Sequence, residues 1–579
     1  MLSAVGGCYN SFASAMPEPE KKQRVFVGVA WPYANGSLHI GQIVGAYLPA
    51  DIFARYHRAA GNEVLMVSGS DQHGTPITVR AEAEGRAPGE VAAQFHMEFL
   101  ESWRRLGIEW DLYTSTGTNN HEAVTHDIFL RLLEQGYIYE ATMKLPYCPV
   151  ERRFLLDRYV EGTCPFCGYT NARGDQCDNC GRVLDPIDLK DRRCRFDGSE
   201  PQIRDSQHFF LRLSAFNQRL REWVSGQTHW RKPVFNWTMG ILNEGLQDRA
   251  ITRDIDWGIP VPVKGWEEKR IYVWFEAVIG YLSAAKEWAQ RKGDPEAWRA
   301  FWQDPECRHY YFIGKDNIPF HTLIWPAQLM GYSQGKREPF NLPYDVPANQ
   351  YQTIRGSKAS TSRRMAIWVP DYLSRYDPDP LRYHLAATMP ETSDSDFTWA
   401  DYLRRNNDEL VATWGNLVNR VLSFAYRNFD RIVPQPGEML DCDRALLSQA
   451  EQALADTGEN ISLCRFRAGL ESAMAAAREA NRYVEDNAPW RLVREDRTRC
   501  ATVLYTAIAA INVLKVALYP YLPFTCQTLH GYLGHEGPLQ TAGWRFSLPE
   551  PGRSLAEPKP LFRKLDPAIV DEEEARLGV

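Results

Sequence analysis

Residues 24–41 read RVFVGVAWPYANGSLHIG, and this stretch decides the fold class. Its first part, Arg24 to Trp31, is a β-branched, apolar run that ends at Pro32. A turn of small polar residues follows, and a long helical pattern then extends from Ile43 to Ala60. A near-continuous apolar strand followed by a loop and a helix is typical of an α/β fold with a parallel sheet.

Further apolar runs support the same sheet. Glu63 to Ser70 (EVLMVSGS) ends at the polar sequence DQHGTP, which begins with Asp71. We predict additional strands at Ile271 to Phe275 and at Tyr310 to Ile313. Ligands of parallel sheets bind at the carboxyl ends of the strands, so the polar residues after these runs are candidates for a site.

Four cysteines form two CxxC turns nine residues apart. Thiolates at this spacing can coordinate one metal ion. A glycine after each pair permits the tight backbone turn that tetrahedral coordination needs. We predict one structural Zn²⁺ rather than a redox pair or a disulfide. The predicted ligands are Cys164, Cys167, Cys177 and Cys180. The cysteines lie between the predicted strands, so residues 141–250 are an insertion in the sheet domain.

Composition limits the classes of function. The chain has 579 residues, 44% hydrophobic content, a formal net charge of −7 and a pI of about 6.1. A net negative charge argues against the extensive positive surface that sequence-independent DNA binding needs. Any surface that binds nucleic acid is therefore confined to one part of the protein. The other eight cysteines are scattered without a disulfide framework, which suits a reducing, cytoplasmic location.

The second half of the chain predicts helices. A basic, flexible loop begins at Arg355, and residues 401–535 have the apolar spacing of a helix bundle. The apolar stretch from Ala501 to Leu514 is interrupted by Lys515 and is too short to span a bilayer, so we expect a buried helix and no membrane partner. Residues 536–579 are predicted as a tail. Residues 1–21 are predicted as a disordered extension, with Met16 as an alternative start.

Several of these stretches resemble the class I aminoacyl-tRNA synthetases, in the form used by methionyl-tRNA synthetases. Trp31 to Gly41 is similar to the first class signature, "HIGH", and the loop at Lys358 is similar to the second, "KMSKS". The order of first signature, zinc-bearing insertion, second signature and helix bundle covers about Lys22 to Leu533. The resemblance implies a Rossmann-type catalytic domain followed by an α-helical anticodon-binding domain.

The resemblance implies a division into domains. Residues 22–140 and 251–345 form the catalytic domain, 141–250 the insertion, and 346–400 the second-signature loop with a linker. It also implies activation of L-methionine by ATP with Mg²⁺ and transfer of the methionyl group to tRNA(Met). The alternatives are a non-catalytic paralogue and a synthetase for leucine, isoleucine or valine, although those enzymes carry a larger editing insertion.

The resemblance also assigns site residues. Implied catalytic residues are His39, Lys358, Ser360 and Arg363. The implied ATP site adds Gly41, Gln42, Gly314, Lys315, Asp316 and Thr361. The implied methionine site comprises Ala30, Tyr33, Asp71, Trp274, Ala277, Tyr281 and His321. Asn416, Arg420 and Trp490 would contact the anticodon. A capping histidine, a solvated basic turn, core aromatics and a helix anchor are the ordinary alternatives for these residue types.

Some positions depart from the family pattern. Gln42 replaces the last histidine of the first signature, and Thr361 replaces the second lysine of the second. We expect an active enzyme in which Lys315, Lys358, Arg363 or Arg364 supplies the positive charge.

A second pair of CxxC turns, found in two-zinc members, is reduced to single cysteines. Glu151 stands where the partner cysteine of Cys148 would be, and Asp197 stands where the partner cysteine of Cys194 would be. A site of two thiolates with one Glu and one Asp is chemically possible, but carboxylates are less typical structural ligands than thiolates, so we expect that this second zinc is lost. Since residues 534–579 are too few for the dimerising domain of some members, we also expect a monomer.

Overall fold

Four parallel strands form the central sheet within the described residues of the computed structural model, which are 22–155, 159–174, 177, 179–180, 184–358 and 366–577. The first strand, Arg24–Val29, lies between Glu63–Ser70 and Arg308–Phe312, and Leu112–Ser115 follows at one edge. Alternate side chains of the first strand pack into two separate cores, one on each face. This explains why the run is apolar throughout, and it confirms the predicted parallel sheet.

The prediction of a strand from Ile271 to Phe275 is wrong. A two-residue strand, Arg270–Ile271, pairs antiparallel with Thr252–Arg253 outside the central sheet, and the chain then turns into the helix Val273–Glu276. A short apolar run fits a buried strand and a buried helix equally well. Burial alternates as in a strand from Val273 to Phe275, with Trp274 exposed between them, but Glu276 breaks the alternation because it is buried directly after Phe275.

Helices cover both faces of the sheet. The helix predicted from Ile43 forms, but it starts earlier, at Ile40, and contains a π-helical turn. The helical segments of this half are Ile40–Gln42, Ile43–Tyr47, Leu48–Ala59, Thr75–Glu84, Pro88–Leu106, Asn119–Glu134, Val273–Glu276, Ala277–Ile279, Gly280–Arg291, Arg299–Trp302, Lys315–Asn317, Phe320–Ile324 and Trp325–Tyr332.

The insertion is built on a long antiparallel pair, Ile138–Cys148 with Gln202–Leu211. A small sheet beside it carries the cysteine turns and encloses its own small core. Its other elements are Arg153–Phe154, Val160–Thr163, Ala172–Arg173, Lys190–Cys194, Leu213–Phe216, Asn217–Ser225, Lys232–Glu244 and Arg249–Ala250.

A linker with a hairpin joins the two halves. Gln352–Ile354 pairs antiparallel with Ser357–Lys358 and parallel with Ser395–Phe397. Two helices of the linker, Val369–Arg375 and Pro378–Ala387, follow the hairpin.

The predicted helix bundle is confirmed. Its helices, with those of the tail, are Trp399–Arg404, Arg405–Gly415, Asn416–Asn428, Asp441–Ser462, Phe466–Asn487, Pro489–Glu495, Arg497–Leu518, Pro523–Tyr532, Leu539–Ala542 and Ile569–Arg576. Arg497–Leu518 is long and apolar enough to cross a membrane, but its most apolar 18 residues are wholly buried within the protein. The predicted buried helix is thereby confirmed, and it packs against several other helices of the bundle.

A buried charge network joins the catalytic half to the linker and the bundle. Asp51 accepts hydrogen bonds from Arg55 (2.9 Å) and Arg382 (2.6 Å), and Arg55 also donates to the Tyr519 hydroxyl (2.9 Å). Both guanidiniums donate to backbone carbonyls as well. The carboxylate keeps a lowered pKa, because the two arginines outweigh the effect of burial.

Candidate active site and associated surfaces

A cavity of about 440 Å³ opens at the carboxyl ends of the central strands. The loops after Arg24–Val29, Glu63–Ser70 and Arg308–Phe312 form its walls, together with the helix Val273–Glu276. The predicted site residues that line it are Ala30, Tyr33, His39, Gly41, Gln42, Asp71, Trp274, Ala277, Tyr281, Gly314, Asp316 and His321. The implied methionine site and most of the implied ATP site therefore share one cavity.

Asp71 lies buried where its strand ends. Its backbone pairs with both neighbours of Tyr33, since Asp71 N–H donates to the Pro32 carbonyl at 2.8 Å and Ala34 N–H donates to the Asp71 carbonyl at 2.9 Å. Burial raises the pKa of the Asp71 carboxyl to about 7, and the nearby Glu276 charge adds to this rise. A buried carboxylate with a raised pKa favours a cationic partner, which would restore its charged form.

Tyr33 is held against the loop that follows Asp71. A Cβ atom at Gly74 would lie 2.2 Å from the Tyr33 ring, so glycine is required for this contact. The contact fixes the Tyr33 ring at the wall of the cavity.

Aromatic side chains line the apolar side. The Trp274 and Phe320 ring centroids are 4.0 Å apart, and Trp274 remains 36% exposed. His321 Nδ1 is 2.9 Å from the Asn317 carbonyl, which can only accept, and burial lowers the His321 pKa to about 4. The imidazole is therefore neutral, with its proton on Nδ1, and Nε2 accepts from the Tyr281 hydroxyl at 2.7 Å.

Gln42 has a local structural role. Its side-chain Oε1 accepts from the His39 backbone N–H at 3.0 Å, which satisfies a donor at the start of the helix. The segment after the second-signature loop is fastened beside it, because Ile40 N–H donates to the Ile367 carbonyl and Val369 N–H to the Leu38 carbonyl. The first signature therefore lies beside the segment that follows the second-signature loop.

The second-signature loop is described only in part. Ser360, Thr361, Arg363 and Arg364 lie outside the described residues, and the structure describes only the backbone of Lys358, which pairs with Thr353. Lys315 lies beside this hairpin, but not in the cavity wall. Its Nζ is 2.7 Å from Asp394 and 3.8 Å from the centre of the Tyr351 ring, so its charge is already paired.

The four cysteines of the predicted zinc site come together. Their Sγ atoms all lie within 4.8 Å of one another, with 3.9 Å from Cys164 to Cys180 and 3.6 Å from Cys167 to Cys177. Tetrahedral coordination with Zn–S bonds of about 2.3 Å separates sulfurs by about 3.8 Å. The cluster therefore has the donors and the size for a metal ion such as zinc.

A second cluster holds Cys148, Cys194 and Asp197. Cys148 Sγ donates to Asp197 Oδ2 at 3.0 Å, and Asp197 also accepts from the backbone and hydroxyl of Ser199. Glu151 contributes its backbone N–H to Cys148, and its carboxylate is not part of this cluster. Three possible ligands, rather than four, thus lie together at the position where the sequence predicts loss of a zinc.

The predicted anticodon residues share one surface of the bundle. Asn416 is exposed at the start of Asn416–Asn428, and Arg420 lies one turn later on the same face. The Arg420 guanidinium is 5.8 Å from the ring of Trp490, which is 42% exposed. Arg420 also contacts Glu485 at 3.4 Å. An exposed indole beside an arginine is suited to stacking with an unpaired base.

Glu276, behind the cavity, was not predicted from the sequence as a site residue, and His73 was indicated only as part of the polar stretch after Ser70. Glu276 is fully buried and contacts His73 across 203 positions of sequence. No local pattern in the sequence indicates this pairing.

Comparison with known proteins agrees with this geometry. A family model of "tRNA synthetases class I (M)" matches residues 25–422, and one of the "Anticodon binding domain of methionyl tRNA ligase" matches residues 433–578. The fold is therefore that of a class I aminoacyl-tRNA synthetase.

Similar proteins define the family more narrowly. A "Methionine--tRNA ligase" of Dehalococcoides mccartyi is 54% identical over 96% of this chain and 100% of its own length. That of Thermomicrobium roseum is 51% identical, over 96% of this chain and 99% of its own. The Mycobacterium tuberculosis methionyl-tRNA synthetase in complex with methionyl-adenylate is 25% identical, with a TM-score of 0.77 over 93% of this chain and 99% of that one. The chain belongs to the methionine–tRNA ligase family, whose members are ATP-dependent ligases.

Proposed function

We propose that the cavity binds L-methionine and ATP, forms methionyl-adenylate and passes the methionyl group to tRNA(Met). The observation that carries this proposal is the position of Asp71. It is a buried carboxylate at one end of a cavity whose other wall is aromatic. An amino acid with a cationic ammonium and an apolar, polarizable thioether fits that arrangement.

The methionine side chain packs against Trp274, Tyr33 and Ala277 in this proposal. Thioether–aromatic contacts are favourable by about 0.3–1.5 kcal/mol. Tyr281 and His321 are hydrogen-bonded to each other. Together they present to the side chain a neutral surface whose polar groups already have partners. Such a surface discriminates against charged amino acids, because a buried charge would be left unpaired.

ATP occupies the part of the cavity lined by His39, Gly41, Gly314 and Asp316. His39 lies at the start of a helix, where the helix dipole and its donor favour phosphate oxygens. Mg²⁺ enters with ATP, and Lys358 and Arg363 would approach the phosphates from their loop. Lys315 can contribute its charge only after it leaves Asp394, so Lys358 is the better candidate.

Pyrophosphate exchange tests this proposal. We expect methionine, but not leucine, isoleucine or valine, to support exchange of pyrophosphate into ATP. Asp71→Asn should raise KM for methionine at least about tenfold, because a charge-assisted bond is lost. Lys358→Ala should lower kcat. A non-catalytic paralogue predicts no exchange with any amino acid, and unchanged kinetics in both variants would contradict the residue assignments.

We propose one structural Zn²⁺ per chain, held by Cys164, Cys167, Cys177 and Cys180. The donor set supports loss of the second site, because among the described residues only Cys148, Cys194 and Asp197 come together there, one ligand short of the four that structural zinc usually has. Elemental analysis should give one zinc per chain. In Cys167→Ser the zinc content should fall towards zero, whereas in Cys148→Ser it should stay at one. Two zinc ions per native chain would contradict the proposal.

We further propose that the surface formed by Asn416, Arg420 and Trp490 contacts the anticodon. The exposed Trp490 ring and its neighbouring guanidinium support this assignment. The monomeric state and the cytoplasmic location remain predictions, and light scattering would test the first.

A further inference from the structure

A buried ionic network lies directly behind the cavity wall. Glu276 is fully buried, and both of its carboxylate oxygens contact His73 Nδ1, at 3.0 and 3.2 Å. His121 Nε2 approaches the same carboxylate at 3.6 Å, and His121 is itself held by Ser283 at 2.9 Å. A carboxylate this deeply buried is stable only with such partners.

The network joins two walls of the cavity. Glu276 ends the short helix that carries Trp274, and Ala277 follows it directly; both of these neighbours line the cavity, whereas Glu276 does not. His73 belongs to the loop after the strand Glu63–Ser70, two residues beyond Asp71. The ionic contact therefore fixes the loop of Asp71 relative to the helix of Trp274.

His73 also orients the Asp71 carboxylate. Its backbone N–H donates to Asp71 Oδ1 at 3.2 Å. The loop between them is held from the other side, where Trp257 Nε1 donates to the Gln72 carbonyl at 2.6 Å. A displacement of His73 would therefore move a direct hydrogen-bond donor of Asp71.

We propose that Glu276 is a positioning residue for the substrate ammonium, which acts by holding His73 and, through the His73 backbone, the carboxylate of Asp71. It does not touch the substrate. The inference rests on the proposed contact between Asp71 and the methionine ammonium. It extends the specificity machinery to a residue that lies outside the cavity.

Two methionine analogues test the inference. Methioninol keeps the ammonium and lacks the carboxylate, whereas 4-(methylthio)butanoate lacks the ammonium. Their inhibition constants against methionine are measured by pyrophosphate exchange in the native protein and in Glu276→Gln. In Glu276→Gln we expect the inhibition constant of methioninol to rise about tenfold. That of 4-(methylthio)butanoate should change by less than about twofold, and the KM for ATP should be unchanged. Equal weakening of both analogues, or of neither, would overturn the inference.

Glu287→Gln is the matched control. Glu287 is also a nearly buried carboxylate, but it contacts Thr114 and Arg291 away from the cavity. A general loss of stability would affect both variants alike, so the thermal midpoint is measured for each. An equal change of the methioninol constant in the two variants would contradict a positioning role for Glu276.

Asp71→Asn separates this inference from the proposed function. The preference for methioninol is the ratio of the inhibition constant of 4-(methylthio)butanoate to that of methioninol. If Asp71→Asn leaves this preference unchanged, the assignment of Asp71 itself fails. If Asp71→Asn abolishes that preference but Glu276→Gln does not alter it, only the present inference fails. Should Glu276→Gln not fold, His73→Gln removes the same ionic contact from the less buried side, and it must weaken methioninol selectively.

Discussion

At the scale of single residues, the cavity depends on contacts that leave no room for a methyl group. Gly74 has an ordinary extended backbone, with φ −72° and ψ 146°, so alanine could adopt its conformation. Space alone requires glycine, because the Tyr33 ring occupies the position of a Cβ atom. The ring would have to move into the cavity or away from it.

We therefore predict that Gly74→Ala raises KM for methionine by about tenfold or more, through displacement of Tyr33, with a smaller effect on the KM for ATP. Pyrophosphate exchange measures both constants. Gly240→Ala is the matched control, since no atom lies within 4 Å of the added methyl group in a surface helix. Equal kinetics in the two variants would show that Tyr33 tolerates the displacement.

At the scale of elements, prediction from sequence succeeded where a local pattern carries the structure. The apolar run before Pro32 is a central strand, and Asp71 lies at a strand end where a ligand is expected. The prediction of a strand from Ile271 to Phe275 was wrong, because the composition of this run does not distinguish a strand from a buried helix. The Glu276–His73 contact could not be predicted, since it depends on how two distant elements pack.

The central bundle helix, Arg497–Leu518, carries an unusual buried lysine. Lys515 Nζ contacts Asn512 Oδ1 at 2.7 Å and His530 Nδ1 at 3.0 Å. Burial lowers the pKa of Lys515 to about 7. Because this side chain keeps a pKa near 10.5 in the unfolded chain, it binds more protons there than in the folded chain between these values, and its own contribution to stability should rise as pH increases from about 7 to 10.5.

We predict that Lys515→Met flattens this dependence. Methionine has no proton to bind, so the slope of the free energy of unfolding against pH should be less positive in this variant than in the native protein over that window. Urea unfolding at pH 7, 8 and 9 measures the slope, which is informative even if lost hydrogen bonds change the absolute stability. Lys292→Met, at an exposed helix end, is the control that should keep the native slope. A native slope in Lys515→Met would contradict the prediction.

At the scale of the whole molecule, the cavity and the surface of Asn416, Arg420 and Trp490 lie in separate parts of the chain that share one core. One continuous hydrophobic core extends from the central sheet into the bundle, and the buried network of Asp51, Arg55 and Arg382 crosses the same junction. Each surface can therefore be changed without directly touching the other.

We predict that Trp490→Ala separates the two halves of the reaction. Loss of a stacking partner worth about 1–3 kcal/mol should lower kcat/KM for tRNA about tenfold or more, while methionine-dependent pyrophosphate exchange without tRNA stays native. Trp237→Ala is the control, because it removes a similarly exposed tryptophan from the insertion. Its kcat/KM for tRNA should be nearer to the native value than that of Trp490→Ala. Loss of exchange in Trp490→Ala would mean that the bundle also supports the cavity.

The position of the first strand has a consequence for synthesis on the ribosome. Arg24–Val29 is central in the sheet, yet one of its neighbours, Arg308–Phe312, follows about 280 residues later. At roughly 5–20 residues per second, the nascent chain exposes that strand edge for roughly 15–60 s. During this interval the unpaired edge can pair with other chains, so we expect it to be a binding site for chaperones on translating ribosomes.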